Sequence, residues 1–353
     1  MFKGKTLLII GGTGSLGKTL TRRILSEEHD APAKLIVLSR DEAKQHQMRI
    51  EYENLPASTD EVIYNNFKRL LEFRIGDVRD YHTVASVLQD VDIVFNTAAL
   101  KQVPTCEYFP YEAVRTNVTG PENIIRAVQE LSLNVQTVIG ISTDKACKPV
   151  NVMGMTKAIQ ERVIIQGNML TPRTRFACVR YGNVLASRGS VIPLFHEQIK
   201  SGGPITVTTE EMTRFFLGLD QAVDVIFAAL REAKPGEIYI PKVPSARIMD
   251  LAEVLIGSRN IDIKITGIRP GEKIHEILVS EEESFLTQDR GEYYAIAPIL
   301  PELRDNIPIE RVLNKEYSSR QATMSQDELK QLLQSYGLLV GQQSETNRQE
   351  LLR

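Results

Sequence analysis

Two short stretches hold residues whose types and spacing could do chemistry. In STDKACKPVNVMGMTKA (142–158), Thr143 precedes an adjacent acid and base, Asp144 and Lys145, and Lys157 follows Met153 by four residues, on one face if this is a helix. A carboxyl of raised pKa beside a lysine of depressed pKa, as a closed and partly dry cleft could produce, would supply a proton donor and a proton acceptor. As neighbours on a loop the same pair could form a surface charge pair. In GGTGSLG (11–17), Gly11, Gly14 and Gly17 stand at GxxGxxG spacing around Thr13, Ser15 and Leu16. Such a loop, placed after a strand and opening a helix, lets a backbone approach a pyrophosphate and offers it the free amides of a helix N-terminus.

These residues need elements to position them. TLLII (6–10), KLIVLS (34–39), LEFRI (71–75), DIVFN (92–96), TVIGIS (137–142) and RFACVR (175–180) read as buried strands. Helical patterns such as Leu16, Leu20 and Ile24 separate them. Alternating strands and helices with right-handed crossovers predict an α/β fold, a Rossmann-type doubly wound parallel sheet with its ligand crevice at the carboxyl ends of the strands. Asp144 and Lys145 then sit at such an end, which favours function over surface decoration. Residues 1–180 form the expected dinucleotide-binding domain and 181–335 a smaller mixed α/β substrate-binding lid, with later strands returning to the main sheet. Residues 336–353 read as a frayed tail. VIPLFHEQIKSG reads as a proline-interrupted helix, Gln221 to Ala233 as a further helix and ENLPASTDEVIYNNF (53–67) as a polar loop. Ser325 and Glu328 have capping-box spacing before the leucines Leu329, Leu332 and Leu333.

The second strand ends in Ser39 and Arg40, with Lys44 close behind. A hydroxyl and cations there suit the 2′-phosphate of NADP, while Asp41 leaves NAD open. Asp77 and Val78, after the third strand, are expected to border adenine.

Composition narrows the classes. The 353 residues are 42% hydrophobic and 25% charged, with a formal net charge of -3. That excludes disordered and fibrous chains and gives no basic field for nucleic acid or an anionic membrane. The three cysteines, Cys106, Cys147 and Cys178, have neither disulfide-framework nor zinc-site spacing, so no metal is expected and the reading is cytoplasmic. No apolar run reaches the roughly 18–20 residues of a membrane span.

Taken in order, GGTGSLG, SRDEAKQ, GDVRD, NTAALKQVPTCE, NVTG, STDKACKPVNVMGMTK, VRYGNVLASRGSVIPLF, PITVT, MTRFF and GIRPGEKIHE resemble the extended short-chain dehydrogenase/reductase family. Within it they resemble the polysaccharide-biosynthesis branch of UDP-N-acetylglucosamine 4,6-dehydratases that invert C5. The resemblance implies oxidation at the sugar C4, loss of water across C5 and C6, and return of hydride to C6. It implies that Lys145 removes the C5 proton, that Asp144 donates to the C6 oxygen and that Lys157 holds the cofactor ribose. Met153 occupies the usual place of a tyrosine; a thioether can pack but cannot take a proton, and some members of the branch also carry methionine here. The C4 proton is left to Thr143, Asp144, Lys145 or a water.

The same resemblance places Ala98, Ala99, Lys101, Asn117, Tyr181 and Asn183 near the cofactor, with Gln102 and Glu107 in the same segment. It assigns Lys101, Met153, Asn183, Arg188, Val191, Thr206, Arg214, Arg269 and Glu272 to the nucleotide-sugar pocket, the arginines toward the diphosphate and Glu272 toward ribose hydroxyls. Cys106 is either a small buried residue or a thiol near substrate. A homo-oligomer, dimer or hexamer, is implied. A nucleotide-sugar 4-epimerase shares cofactor, fold and ligand class but leans on the missing tyrosine; a non-catalytic NADP-binding protein would leave Asp144, Lys145 and Lys157 unexplained.

Overall fold

A computed structural model describes residues 1–26, 29–54, 61–185, 190–304, 310–321 and 323–341. Six strands of the first half are β1 (Thr6–Ile10), β2 (Lys34–Ser39), β3 (Leu71–Ile75), β4 (Ile93–Asn96), β5 (Thr137–Thr143) and β6 (Arg175–Tyr181). Ten further strands follow among the described residues: β7 (Asn183–Val184), β8 (Ile205–Val207), β9 (Thr213–Leu217), β10 (Ile238–Pro241), β11 (Ser245–Arg247), β12 (Ile263–Ile265), β13 (Ile277–Val279), β14 (Thr287–Arg290), β15 (Tyr293–Ile296) and β16 (Tyr317–Ser318).

The central sheet has nine strands in the order β14-β15-β10-β6-β5-β4-β1-β2-β3. From β3 to β10 every neighbouring pair is parallel, and β15 and β14 add an antiparallel edge. The order reverses between β1 and β4, the switch point at which a doubly wound sheet opens its crevice. Leu7, Leu8, Ile9, Leu35, Val37, Val94 and Phe95 are buried on both faces of the sheet, which is why these strands read as continuous apolar runs.

Over the carboxyl ends lies a smaller assembly of three short sheets, β11-β9-β7, β12-β8 and β13-β16. It has its own apolar core, with Phe195, Ile205, Leu251, Leu329 and Leu333 fully covered. Ser325 and Glu328 form the expected capping box on the helix Gln326–Ser335.

Three sequence expectations change. Part of the segment read as a loop is the helix Glu61–Leu70: Phe67 and Leu70 bury one face, and Phe67 stacks on Tyr52 with ring centroids 5.2 Å apart. Pro193 does not interrupt the helix Val191–Lys200, because as its third residue it lacks an N–H that would have had no intrahelical partner. Leu338, assigned to the tail, is buried in the smaller core, while residues 342–353 lie outside the described residues.

Candidate active site

The sheet and the smaller assembly enclose a cavity of about 1500 Å³. One end is built by the first turn of the fold. Gly11 adopts φ +82°, and a Cβ there would stand 2.7 Å from the Ala98 amide nitrogen, so the loop between β1 and the helix Ser15–Leu25 can pass β4 only as glycine. Gly14 caps that helix without a side-chain bond, and no acidic residue stands in its first turn. Its amides thus lack the side-chain acceptor most helices supply, an arrangement that fits a pyrophosphate.

Gly11, Thr13, Gly14, Ser15, Leu16 and Gly17 all line the cavity. So do Ser39, Arg40 and Lys44 after β2, Asp77 and Val78 after β3, and Ala98, Ala99 and Lys101 after β4. Thr13 and Ser39 share a hydrogen bond of 2.8 Å that ties the glycine loop to β2. Asp41 is occupied: its carboxylate accepts from the Lys44 amide at 3.0 Å, capping the helix Glu42–Glu53, and pairs with the Lys44 ammonium. Arg40 stays 55% exposed, with Asp77 at 3.6 Å.

The centre of the cavity is the turn after β5. Thr143 caps a single 3-10 turn, Asp144–Ala146, so that Lys145 faces the cavity while Asp144 is buried behind the wall. Lys145 Nζ donates to Asp144 Oδ1 at 3.0 Å and to Asn183 Oδ1 at 3.3 Å, and lies 3.3 Å from Glu276 Oε1. Thr143 Oγ1 donates to Asp144 Oδ1 at 2.9 Å. Asp144 Oδ2 and Glu276 Oε2 are buried without a hydrogen-bond partner.

Burial, with the charge of Glu276, raises the Asp144 pKa as expected. Lys145 departs from expectation. Burial alone would lower its pKa, but Asp144 and Glu276 together outweigh burial and raise it, so the resting group is an ammonium. Glu276 goes the other way: burial would raise it, while Lys145, Arg214 and Lys273 hold its pKa down.

Met153 and Lys157 line the cavity from the helix Val152–Leu170. Asn151 caps that helix through the Gly154 amide at 2.8 Å, and Glu107 Oε1 accepts from Val152 N at 2.7 Å. A Cβ on Gly154 would fall 2.3 Å from the Lys145 carbonyl oxygen, so the helix rests directly on the backbone of the Lys145 turn. Lys157 Nζ donates to Gln160 Oε1 at 2.5 Å and to the Ile141 carbonyl, and burial lowers its pKa to about 8. Met153 packs with Cys106, Ala113, Leu100 and Val103. Cys106 is fully buried, does not reach the cavity and donates to the Leu100 carbonyl at 3.7 Å; burial raises its pKa, so it acts as packing and not as a thiolate.

Asn117 also stands behind the wall. It accepts from Leu100 N at 2.8 Å and donates to Leu100 O at 2.9 Å and Thr156 Oγ1 at 3.0 Å, so it staples the loop after β4 rather than lining the cofactor end.

Tyr181, Asn183, Val191, Thr206, Arg214, Arg269 and Glu272 also line the cavity. Arg188 lies outside the described residues. Arg214 is largely spent as a brace, donating to the carbonyls of Thr213, Ile274 and Lys273. Arg269 is exposed at the cavity and makes no ion pair with a described residue. Two bonds latch its segment to the Lys145 turn: Asn151 Nδ2 donates to Gly271 O at 2.7 Å and Lys273 Nζ to Cys147 O at 2.5 Å. Glu276 was missing from the sequence reading, although it closes the motif GIRPGEKIHE; a carboxylate directly before the apolar ILV of β13 was the available signal.

Comparison with known proteins agrees with this architecture. A family described as polysaccharide biosynthesis protein matches residues 7–298. Over 301 residues the chain is 42% identical to a UDP-N-acetylglucosamine 4,6-dehydratase (inverting) of Campylobacter jejuni, covering 84% of each chain. Over 302 residues it is 45% identical to a UDP-glucose 4-epimerase of Rickettsia bellii, again covering 84% of each. Among solved structures, Pen from Bacillus thuringiensis has a TM-score of 0.84 and 36% identity, covering 96% of this chain and 100% of that one. DesIV, a dTDP-glucose 4,6-dehydratase of Streptomyces venezuelae, shares the fold with a TM-score of 0.63 at 21% identity, covering 76% of this chain and 86% of its own. The chain belongs to the polysaccharide biosynthesis protein family.

Proposed function

We propose that the protein is a nucleotide-sugar 4,6-dehydratase, a hydro-lyase that converts UDP-N-acetylglucosamine to a UDP-4-keto-6-deoxy-N-acetylhexosamine with inversion at C5. The observation that carries this reading is Lys145, held at the cavity wall between two carboxylates, beside a position where Met153 replaces a proton-transferring phenol. Elimination needs a base for C5 and an acid for the C6 oxygen. It does not need a tyrosine.

A bound nicotinamide would accept hydride from C4 and return it to C6. The chain does the rest. Thr143, whose hydroxyl already donates to Asp144, offers the O4 proton a route to that carboxyl. Lys145, once its ammonium has released a proton to water, takes the C5 proton; the C5–H electrons form the C5–C6 double bond as the C6–O bond breaks, and Asp144, behind the wall, delivers its proton through the Thr143 hydroxyl to the departing oxygen, which leaves as water. A proton from water, added to C5 on the face opposite Lys145, completes the inversion. Lys157 holds the nicotinamide ribose, and Arg269 with Glu272 holds the nucleotide end.

We propose NADP as the cofactor: Ser39, Arg40 and Lys44 line the cavity after β2 with a hydroxyl and cations that suit a 2′-phosphate, and the Asp41 carboxylate that could have bound a free ribose hydroxyl is engaged as a helix cap. Among the described residues no helix is long and apolar enough to cross a membrane, and we place the enzyme in the cytoplasm. Met155 and Ile159 on the helix Val152–Leu170, with Tyr108 and Tyr111 nearby in the chain fold, are exposed apolar residues suited to a homo-oligomer contact.

The 45% identity to the Rickettsia bellii 4-epimerase favours a second reading, C4 epimerisation. Incubation with UDP-N-acetylglucosamine in deuterated water separates the two. A 4-keto-6-deoxy product carrying deuterium at C5 supports dehydration; a C4 epimer that retains its C6 oxygen supports epimerisation; no turnover of any nucleotide hexose overturns both.

A further inference from the structure

Glu276 is a buried carboxylate for which the reaction as written has no use. It is only 2% exposed, lines the cavity, places Oε1 3.3 Å from Lys145 Nζ and leaves Oε2 without a hydrogen-bond partner. Around it stand Lys145, Arg214, whose Nε is 3.8 Å away, and Lys273 on its own segment. The charged groups facing Lys145 are Asp144, Glu276 and Arg214. His275, next in the chain, turns away to Thr213 Oγ1 at 2.8 Å.

Arg214 spends three of its donor contacts on backbone carbonyls and meets Glu276 only at 3.8 Å, so Lys145 is the nearest cation to the Glu276 carboxylate. A buried carboxylate without full hydrogen bonding is costly unless a charge compensates it. The compensating charge is one that the elimination step creates afresh each cycle, because Lys145 becomes an ammonium when it takes the C5 proton. Asp144 cannot serve both purposes. In that step it must carry a proton for the C6 oxygen, and while protonated it offers Lys145 no charge.

We propose that Glu276 is a positioning residue for elimination, fixing Lys145 Nζ at the cavity wall and sustaining the ammonium formed as the C5–H bond breaks. This rests on the dehydratase reading. Glu276 makes Lys145 a stronger base at the moment Asp144 is neutral, and its second oxygen remains open to a hydroxyl of the sugar.

The test measures Lys145 itself. Reaction of the lysine with acetic anhydride, followed by mass spectrometry across a pH series, gives its titration midpoint in the holoenzyme without reference to turnover. Glu276→Gln should lower that midpoint by about one unit, at the low end of the 1–3 units an opposite charge at this distance commonly confers. With UDP-N-acetylglucosamine, the acid limb of the kcat profile should move down by the same amount while KM holds and kcat falls. Glu276→Asp keeps the charge but draws it back, and should lower the midpoint by less; it serves alone if the glutamine variant does not fold. An unmoved midpoint in folded variants overturns the proposal, even if kcat drops. Failure of the parent reading looks different: the native enzyme then incorporates no deuterium at C5, whatever the Lys145 midpoint does.

Discussion

Two clusters in this molecule each set one cation between two carboxylates, and they have opposite characters. Arg180 lies between Glu161, which it contacts at 2.9 and 2.6 Å, and Glu283, which it contacts twice at 2.8 Å; a further bond reaches the Leu278 carbonyl. Lys145 lies between Asp144 and Glu276, and each of those carboxylates has an oxygen without a partner. The arginine fork cannot lose its proton and saturates its partners, so its cluster clamps β6 to the helices on either side. Lysine is a point charge that can discharge, and its cluster is left unsaturated toward the cavity. Saturation marks the structural cluster, and incompleteness marks the one that can react.

The largest effect expected from breaking this contrast is on chemistry. Lys145→Ala should reduce formation of the 4-keto-6-deoxy product by about 10²–10⁴, the usual worth of a positioned acid or base. Lys145→Arg, which keeps the charge but cannot release its proton, should be equally inactive; a turnover within tenfold of the native enzyme for either variant would contradict a base role.

Next comes the structural cluster. Arg180→Met strands two buried carboxylates and should cost about 3–5 kcal/mol in urea unfolding. A loss under about 1 kcal/mol would mean that the clamp is idle.

The pH dependence of stability sharpens the contrast further. Burial would raise the Glu283 pKa, but the charge and hydrogen bonds of Arg180 hold it down at about 2. Its folded pKa lies below its unfolded one, so the unfolded chain binds more protons in that interval: the contribution is present above about pH 4.5 and fades as pH falls toward 2. Glu283→Gln should therefore flatten the acid limb of stability, by up to about 3 kcal/mol at the order of magnitude such a shift represents.

Asp144 has the reverse sign and the smallest effect. Its pKa is raised in the fold, so above pH 3.8 the native state binds more protons and Asp144 costs stability as pH rises through its folded pKa. Asp144→Asn should leave the protein within about 1 kcal/mol of the native stability at pH 7, on the stabilising side. A clearly lower melting temperature would place Asp144 among the structural charges.

Much of the fold was legible because its strands are buried on both faces and therefore read as unbroken apolar runs. The glycine loop and the Thr143-Asp144-Lys145 turn were legible because their chemistry is contiguous in the chain. What escaped depends on partners distant in sequence. Lys145 was expected to have a depressed pKa because a dry cleft disfavours the ammonium; the charges of Asp144 and of Glu276, the latter brought in by the segment after β12, together outweigh burial and raise it. Arg214 reads as a diphosphate fork, yet its partners are backbone carbonyls, which have no sequence signature. Asn117 reads as a ligand for the same reason, and its bonds go to a backbone and a threonine.

The contact at Gly154 has a consequence for how such a site can change over generations. Main chain rests on main chain there: a Cβ at 154 would meet the Lys145 carbonyl first and the Pro149 ring next, at 3.2 Å. The height of the lysine above the sheet is therefore set without help from residue 153. A lineage could exchange a phenol for a thioether at that position and redirect the chemistry while the lysine kept its address, whereas one added methyl at 154 would shift the turn and the residue it presents.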